Sequence, residues 1–313
     1  MYNNSIWEDI KWQFRYGTDL IKLIMVNITL FVFINLVQLV LFLLQQQGAF
    51  VLTDWLSLYA SPARLLLQPW GIITYMFVHE GFWHILWNML GLYWFGQIVQ
   101  DMIGRPKILP LYLLGGIVGG IAYIAAYNIF PVFSQSVAHA SCIGASASVM
   151  AIVLAAATIA PNYEIGLLFI GPVRIKWIAL VYVLLDLINI QNGNAGGHIA
   201  HLGGAFAGFA FVRLLQNGTD LSRYFYSISD GIGKIFRKKE KLSVSYVNPG
   251  KKKEYASAYS TTQQKKSNQT SPPSDKASKQ EQLDAILDKI NRSSYESLSK
   301  EEKEFLFKIS QED

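Results

Sequence analysis

The chain of 313 residues has a single cysteine, Cys142, and only five histidines. One thiol excludes an intrachain disulfide and any cysteine-based metal site, and Cys142 reads as a buried or loop thiol. Lysine and arginine are scarce from Ile21 to Leu215 and crowd beyond it. That scarcity excludes an ordinary soluble domain and points to a membrane-embedded region followed by a soluble tail. The formal net charge of +5 resides in the connections and the tail, so nucleic acid is not an expected partner. A basic stretch such as "KIFRKKEKLS" beside a span instead favours anionic lipid headgroups.

What is present in the charge-poor region is apolar length. A hydrocarbon core needs roughly 20 apolar residues per helical span. About six stretches qualify, near 21–45, 74–98, 107–130, 145–160, 173–190 and 197–215. The first has too long an apolar run, and no small-residue cleavage site after it, for a cleavable signal peptide. Lys11, Arg15 and Lys22 flank the first span, Arg105 and Lys107 follow the second, Arg174 and Lys176 follow the fourth, and Arg213 at the end of the sixth is followed by Lys234, Arg237, Lys238, Lys239 and Lys241. The alternate connections are nearly bare, with Arg64 alone between the first two spans. Basic residues stay on the inner side, so both termini are expected in the cytoplasm. The expected class is all-α: a polytopic six-helix membrane bundle with a cytoplasmic C-terminal tail, in a bacterial inner membrane.

Four regions follow: a cytoplasmic segment 1–20, the membrane domain 21–215, a basic and largely disordered linker 216–278, and a small helical hairpin 279–313. Between the first two spans, Trp55, Tyr59 and Trp70 suit the membrane interface, and this connection is expected to lie partly in the outer leaflet. The linker is rich in Lys, Ser, Thr and Gln over 241–278. In the hairpin, Ser278 with Glu281 and Ser299 with Glu302 form capping-box patterns, the first followed by Leu283, Ile286, Leu287 and Ile290 at helical spacing. Alone this hairpin buries too little to be stable. It is expected to dock on a partner, on the membrane surface or on a second copy.

Polar groups at membrane depth are costly and call for an explanation. In "VHEGFWHILWNMLGLYWFG", His84 and Asn88 lie four apart on one helix face, and both carry N–H donors. Alone, such a pair reads as an interhelical hydrogen bond. In "CIGASASVM", Gly144 and Ser146 place a hydroxyl at a tightly packed helix start, where backbone N–H groups can point at an oxyanion. Alone, this serine reads as a small packing residue. In "GGHIAHLGGAFAGFAF", Ala200, Gly204 and Gly208 form a ridge of small residues, matched by Ala147, Ala151 and Ala155 in the fourth span. Two such ridges let helices approach closely, which brings Ser146 and His201 together, with His84 and Asn88 at similar depth. His201 would then be the base and later the acid. The Ser146 N–H, His84 and Asn88 would form the oxyanion hole. Such a cluster needs a hydrated cavity, and a substrate must unwind, because a helix hides its carbonyls in its own hydrogen bonds.

"HEGFWHILWNM", "GASA" and "AHLGGAFAG" resemble the three signatures of the rhomboid intramembrane serine proteases, over about 70–215. The resemblance implies a six-helix rhomboid-like bundle, Ser146 as nucleophile, His201 as general base, and His84 and Asn88 as oxyanion donors. It further implies a Ser–His dyad without a third acid, no metal or other cofactor, and transmembrane protein substrates that pass laterally beside the fifth helix. Ala147 departs from the family's usual glycine and is tolerated if Gly204 or Gly208 forms the facing wall. Met150 replaces an aromatic residue that commonly stacks on the histidine, and the acidic residue often found near the end of the second helix is displaced here, with Gln100 followed by Asp101.

Two rival readings remain. A rhomboid-like pseudoprotease would bind membrane clients without cutting them, although such proteins generally lack the serine or the histidine and this chain keeps both. A transporter or metal channel would use His79, His84, His198 and His201, but these pairs have no carboxylate or thiolate partner in view. His198 is expected to be solvated or bonded to a loop, and His79 to support His84 or line a water path; Asp186 could act as a gate or orient water, but an acid snorkelling at the interface is the simpler reading.

Overall fold

A computed structural model describes residues 5–46, 51–236, 283–290 and 297–309. The chain divides into two compact units, Met1–Lys239 and Glu240–Asp313. The first contains α1 (Ile6–Tyr16), α2 (Asp19–Leu43), α3 (Val51–Leu56), β1 (Leu58–Tyr59), α4 (Pro62–Leu67), α5 (Gly71–Thr74), α6 (Phe82–Ile103) and α7 (Ile108–Ile129). It continues with β2 (Ser141–Cys142), α8 (Ser146–Ile159), β3 (Glu164–Leu167), β4 (Gly171–Arg174), α9 (Ile175–Asn189), α10 (Ala195–Gln216) and α11 (Leu221–Phe236).

Among the described residues, three helical stretches, Asp19–Leu43, Arg105–Ile129 and Ala195–Gln216, are long and apolar enough to cross a membrane by length and composition. At 1.5 Å per residue the 25 residues of α2 reach about 37 Å, more than the hydrocarbon thickness. Val32, Phe33, Leu36, Leu39, Val40 and Phe42 on its outer face are exposed, a surface suited to lipid and costly in water. By contrast, the 14 residues of α8 extend only about 21 Å. A helix this short does not reach across a hydrocarbon core of about 30 Å, so in a bilayer at least one of its ends would lie below the surface.

The core forms where α8, α10 and α7 meet. A Cβ built on Gly204 would lie 2.0 Å from the Ala147 carbonyl oxygen, and one on Gly208 would lie 1.9 Å from that of Ala151. Only hydrogen side chains allow backbones this close. The methyl of Ala147 points elsewhere, toward Gly119 of α7, where an added Cβ would come within 2.7 Å of it. The wall that accommodates Ala147 is therefore Gly119, and Gly204 faces its carbonyl. Two buried hydroxyls of this core are paired, Tyr75 donating to the Gly116 carbonyl and Tyr112 to that of Met76, each at 2.6 Å, which offsets the cost of burying them.

The connection between α2 and α6 folds onto the bundle. β1 pairs antiparallel with β2, Leu58 opposite Cys142 and Tyr59 opposite Ser141. Trp70 Nε1 donates to the Trp55 carbonyl at 2.7 Å; Trp55 is exposed and Trp70 half-buried. Tyr59 is buried at 6 % exposure, with the Arg64 guanidinium 4.4 Å from its ring centroid. It belongs to the core and corrects the interfacial reading, because strand pairing with β2 draws it inward.

The stretch read as a disordered linker, 216–278, begins instead with α11; its residues from 237 onward lie outside the described residues. The apolar residues Leu221, Phe225 and Ile228 recur at helical spacing, and Asp220 starts the helix by accepting from the Ser222 N–H at 3.0 Å. Lys107, at the head of α7, pairs with Asp220 and donates to Ser222 Oγ at 2.8 Å. Burial pushes the Asp220 carboxyl up, and Lys107 with Ser222 outweighs it, so the group sits below its ordinary value. A depressed carboxyl stabilises the fold above its unfolded pKa, about 4, and loses that contribution as pH falls through the folded value. Asp220→Asn is therefore expected to lower the thermal midpoint by roughly 2–4 °C at pH 7. Thermal scans of both proteins should show the difference shrinking as pH drops below about 4.

In the second unit, residues 283–290 form a helix, α12, and Lys300–Ile309 forms α13. Ser299 Oγ accepts from the Glu302 N–H at 3.2 Å while Glu302 Oε2 accepts from the Ser299 N–H at 2.7 Å, a reciprocal capping box. Lys289 joins the two helices by donating to Glu302 at 2.9 Å. The Ser278 and Glu281 pattern lies outside the described residues.

Candidate active site

Gly144 sets the position of Ser146. Its φ of +124° lies in a region that L side chains rarely adopt, and its N–H donates to the Tyr75 carbonyl at 2.9 Å. The chain then enters α8 directly at Ser146, so the first N–H groups of that helix have no intrahelical acceptor. A Cβ on Gly144 would lie 2.7 Å from His84 Nε2 and 3.6 Å from Ser146 Oγ. The missing side chain is what lets the His84 imidazole come close to the serine.

His201, on the second turn of α10, places Nε2 2.7 Å from Ser146 Oγ. Asn88 is buried, lies one turn after His84 on α6, and donates one N–H to the His84 carbonyl at 2.8 Å, leaving its second N–H available. His84, Ser146 and His201 stand in the wall between two cavities. One, of about 460 Å³, is flanked by Trp83 and Trp87 of α6 and by Tyr182 and Leu185 of α9, with Asn88 and Met150 in its lining. The other, of about 370 Å³, is lined by polar groups that include Glu80, Ser141 and Asn194. The structure thus brings Ser146, His201, His84 and Asn88 together, with Gly144, Gly204 and Gly208 at the close contacts around them.

The surroundings of His201 correct three expectations. Asp186 is buried, at 7 % exposure, and one carboxylate oxygen lies 2.8 Å from Nδ1 of both His198 and His201. It is a bundle-facing acid, because pairing with two imidazoles offsets the cost of burying it. His198 is correspondingly held by Asp186 and is not free in solvent. The histidine pair also has a carboxylate neighbour that sequence proximity does not reveal: the ligand atoms of Asp186, His198 and His201 lie within 4.8 Å of one another. Hydrogen bonding to a shared oxygen accounts for that closeness. The sequence signal for Asp186 is a polar stripe on α9, since Tyr182, Asp186 and Asn189 recur at helical spacing and all line the larger cavity.

His79 is buried and meets His84 edge-on, with ring centroids 5.1 Å apart. Burial pushes the Cys142 thiol up to about 12, so it stays protonated and is a poor nucleophile at neutral pH.

Residues 66–217 match the rhomboid domain family, and residues 273–312 match a family of unknown function, DUF6576. RHOMBOID-like protein 12, mitochondrial, of Arabidopsis thaliana is 31 % identical over 153 residues, 46 % of this chain and 46 % of that protein. Rhomboid protease GluP of Bacillus subtilis is 28 % identical over 185 residues, 57 % of this chain and 33 % of that protein. Inactive rhomboid-related protein 2 of Caenorhabditis elegans is 29 % identical over 176 residues, 52 % of this chain and 45 % of that protein. The chain spans less than half the length of these relatives. They include a named protease and a named inactive protein, so membership alone does not assign catalysis. With its apolar helices, the chain is an integral membrane protein whose residues 66–217 belong to the rhomboid domain family.

Proposed function

We propose that the chain is an intramembrane serine endopeptidase that cuts transmembrane segments of other membrane proteins. The observation that carries this reading is the 2.7 Å contact between Ser146 Oγ and His201 Nε2, set between an aromatic cavity and a polar one. Ser146 Oγ attacks the scissile carbonyl carbon as His201 Nε2 takes its proton. The oxyanion is held by the Ser146 N–H, His84 and Asn88. The C–N bond breaks as His201 returns the proton to the leaving amine. A water from the polar cavity then loses a proton to His201 and attacks the acyl ester; as the ester bond breaks, His201 returns that proton to Ser146 Oγ, which releases the acid and restores both groups. The aromatic cavity between α6 and α9 suits an unwound, apolar substrate segment arriving from the bilayer. The shortness of α8 is compatible with this reading, because a helix of 14 residues can start within the bilayer, at the depth where such a segment lies.

In this reading α2, α6, α7, α8, α9 and α10 are six spans. The basic flanks at Lys22, Arg105, Lys107, Arg174, Lys176 and Arg213 favour both termini and the tail on the cytoplasmic side of a bacterial plasma membrane. The C-terminal hairpin docks on a partner, on the membrane or on a second copy. The test incubates the purified chain in detergent with a transmembrane substrate and a serine-reactive phosphonate, beside Ser146→Ala. Cleavage and labelling by the wild type alone uphold the reading, and an inert, unlabelled wild type makes the chain a client-binding relative without activity. Gly144→Ala should slow cleavage about tenfold or more, because its methyl displaces His84 and strains the turn. Steady-state rates normalised to folded protein check this.

A further inference from the structure

His201 has two ring nitrogens, and the two are used differently. Nε2 faces Ser146 Oγ at 2.7 Å, and Nδ1 faces Asp186 Oδ1 at 2.8 Å. A carboxylate only accepts hydrogen bonds, so Nδ1 carries the proton and Nε2 presents its lone pair to the serine. The opposite tautomer would point an N–H at the hydroxyl and could not take its proton. When His201 does take that proton, the resulting imidazolium stands beside a buried negative charge. His198 donates to the same oxygen from the preceding turn of α10, which holds the carboxylate in place without competing for Nε2 of His201.

We propose that Asp186 is a positioning residue for the base: it fixes the Nδ1-protonated tautomer of His201 and stabilises the imidazolium, which makes the catalytic unit Ser146–His201–Asp186 rather than a dyad. This rests on the protease reading for its kinetic consequences, while the tautomer is a property of the fold. The titratable groups sharing the two cavities with His201 are Asp186 and Tyr182 on α9, His198 on α10, His84 on α6 and Glu80 just before it. Tyr75, Tyr123, Tyr127 and Cys142 complete the polar cavity and stay neutral through the working pH range.

The experiment uses the full chain in detergent, with Asp186→Asn and Asp186→Glu, and reads kcat, KM, the pH–rate profile and the ¹⁵N resonances of the histidine rings. For Asp186→Asn, kcat should fall by about 100-fold or more while KM changes by less than about threefold. The acid limb of its profile should move to lower pH, because the imidazolium has lost its anionic neighbour. Asp186→Glu should return the limb toward its wild-type position. In the wild type His201 should be protonated on Nδ1, and in Asp186→Asn the tautomers should mix. A residue of purely structural importance would lower the thermal midpoint and leave the limb and tautomer unmoved. A wild type that cleaves, with Asp186→Asn within about threefold in kcat and an unmoved limb, overturns the proposal and spares the protease reading. A wild-type His201 protonated on Nε2 overturns it directly. An inert wild type with Nδ1 protonated overturns the protease reading and the catalytic unit with it, and upholds only the tautomer that Asp186 fixes.

Discussion

Ser146→Ala and His201→Ala are each expected to reduce cleavage roughly 10⁴- to 10⁶-fold, and the double variant is expected to be no slower than either. The nucleophile and base act through one contact of 2.7 Å, so removing either group removes the same step. Other candidate nucleophiles nearby are poorly placed. Ser148 is fully buried with its hydroxyl against the Met76 sulfur at 3.8 Å, and the Cys142 thiol is pushed toward the protonated form. Both substitutions shorten side chains that line cavities, so the variants should keep wild-type size-exclusion profiles and helical content. Product formation from a transmembrane substrate, followed to several half-lives of the wild-type reaction, is the measurement. Cleavage by Ser146→Ala within about tenfold of wild type would assign the chemistry to another group.

The second large effect concerns packing. Gly208→Ala should destabilise the membrane unit by about 1–3 kcal/mol, and Gly208→Leu by more. An added Cβ there would lie 1.9 Å from the Ala151 oxygen, 2.6 Å from its carbonyl carbon and 2.7 Å from its Cα. All three are backbone atoms that cannot rotate away, so α8 and α10 must separate. Separation also opens the Gly119 contact with Ala147, since α7 packs on both helices. Gly204→Ala repeats the collision one turn nearer the site and should lower activity beyond its effect on stability, because His201 and Ser146 ride on the two helices being pushed apart. Gly166→Ala is the control: nothing lies within 4 Å of its added Cβ, and the change should stay within about 0.5 kcal/mol. Unfolding in mixed micelles, with activity per folded molecule, separates the two effects. A Gly208→Ala protein as stable as wild type would mean that the helices have slack at this contact.

Helices report their faces through spacing, and that makes much of this site legible in the chain itself. Ala147, Ala151 and Ala155 recur every four residues, as do Ala200, Gly204 and Gly208, and ridges of that kind imply a close crossing. His84 and Asn88 are legible as one face for the same reason. Tyr59 departs from its interfacial reading because aromatic composition is a weak guide where a short strand pairs inward. In α11, charge and small polar residues mask the apolar spacing, so the helix resembles linker. Asp186 resembles an interfacial acid because a carboxylate near a helix end carries the same sequence pattern whether it faces lipid headgroups or the bundle.

The sequence by itself determined which residues are polar in an apolar region, which helix faces are small, and where basic residues cluster. Those are properties of composition and of a repeat of about 3.6 residues. Only the tertiary structure decided which carboxylate reaches His201, that the Ala147 methyl rests against Gly119, and that the serine stands between two cavities. Each depends on how far apart helices lie and how they are turned, which is set by the sum of many backbone contacts across α7, α8, α9 and α10. A hydrogen bond between residues fifteen apart, on two helices joined by a turn, leaves no periodic trace in the chain.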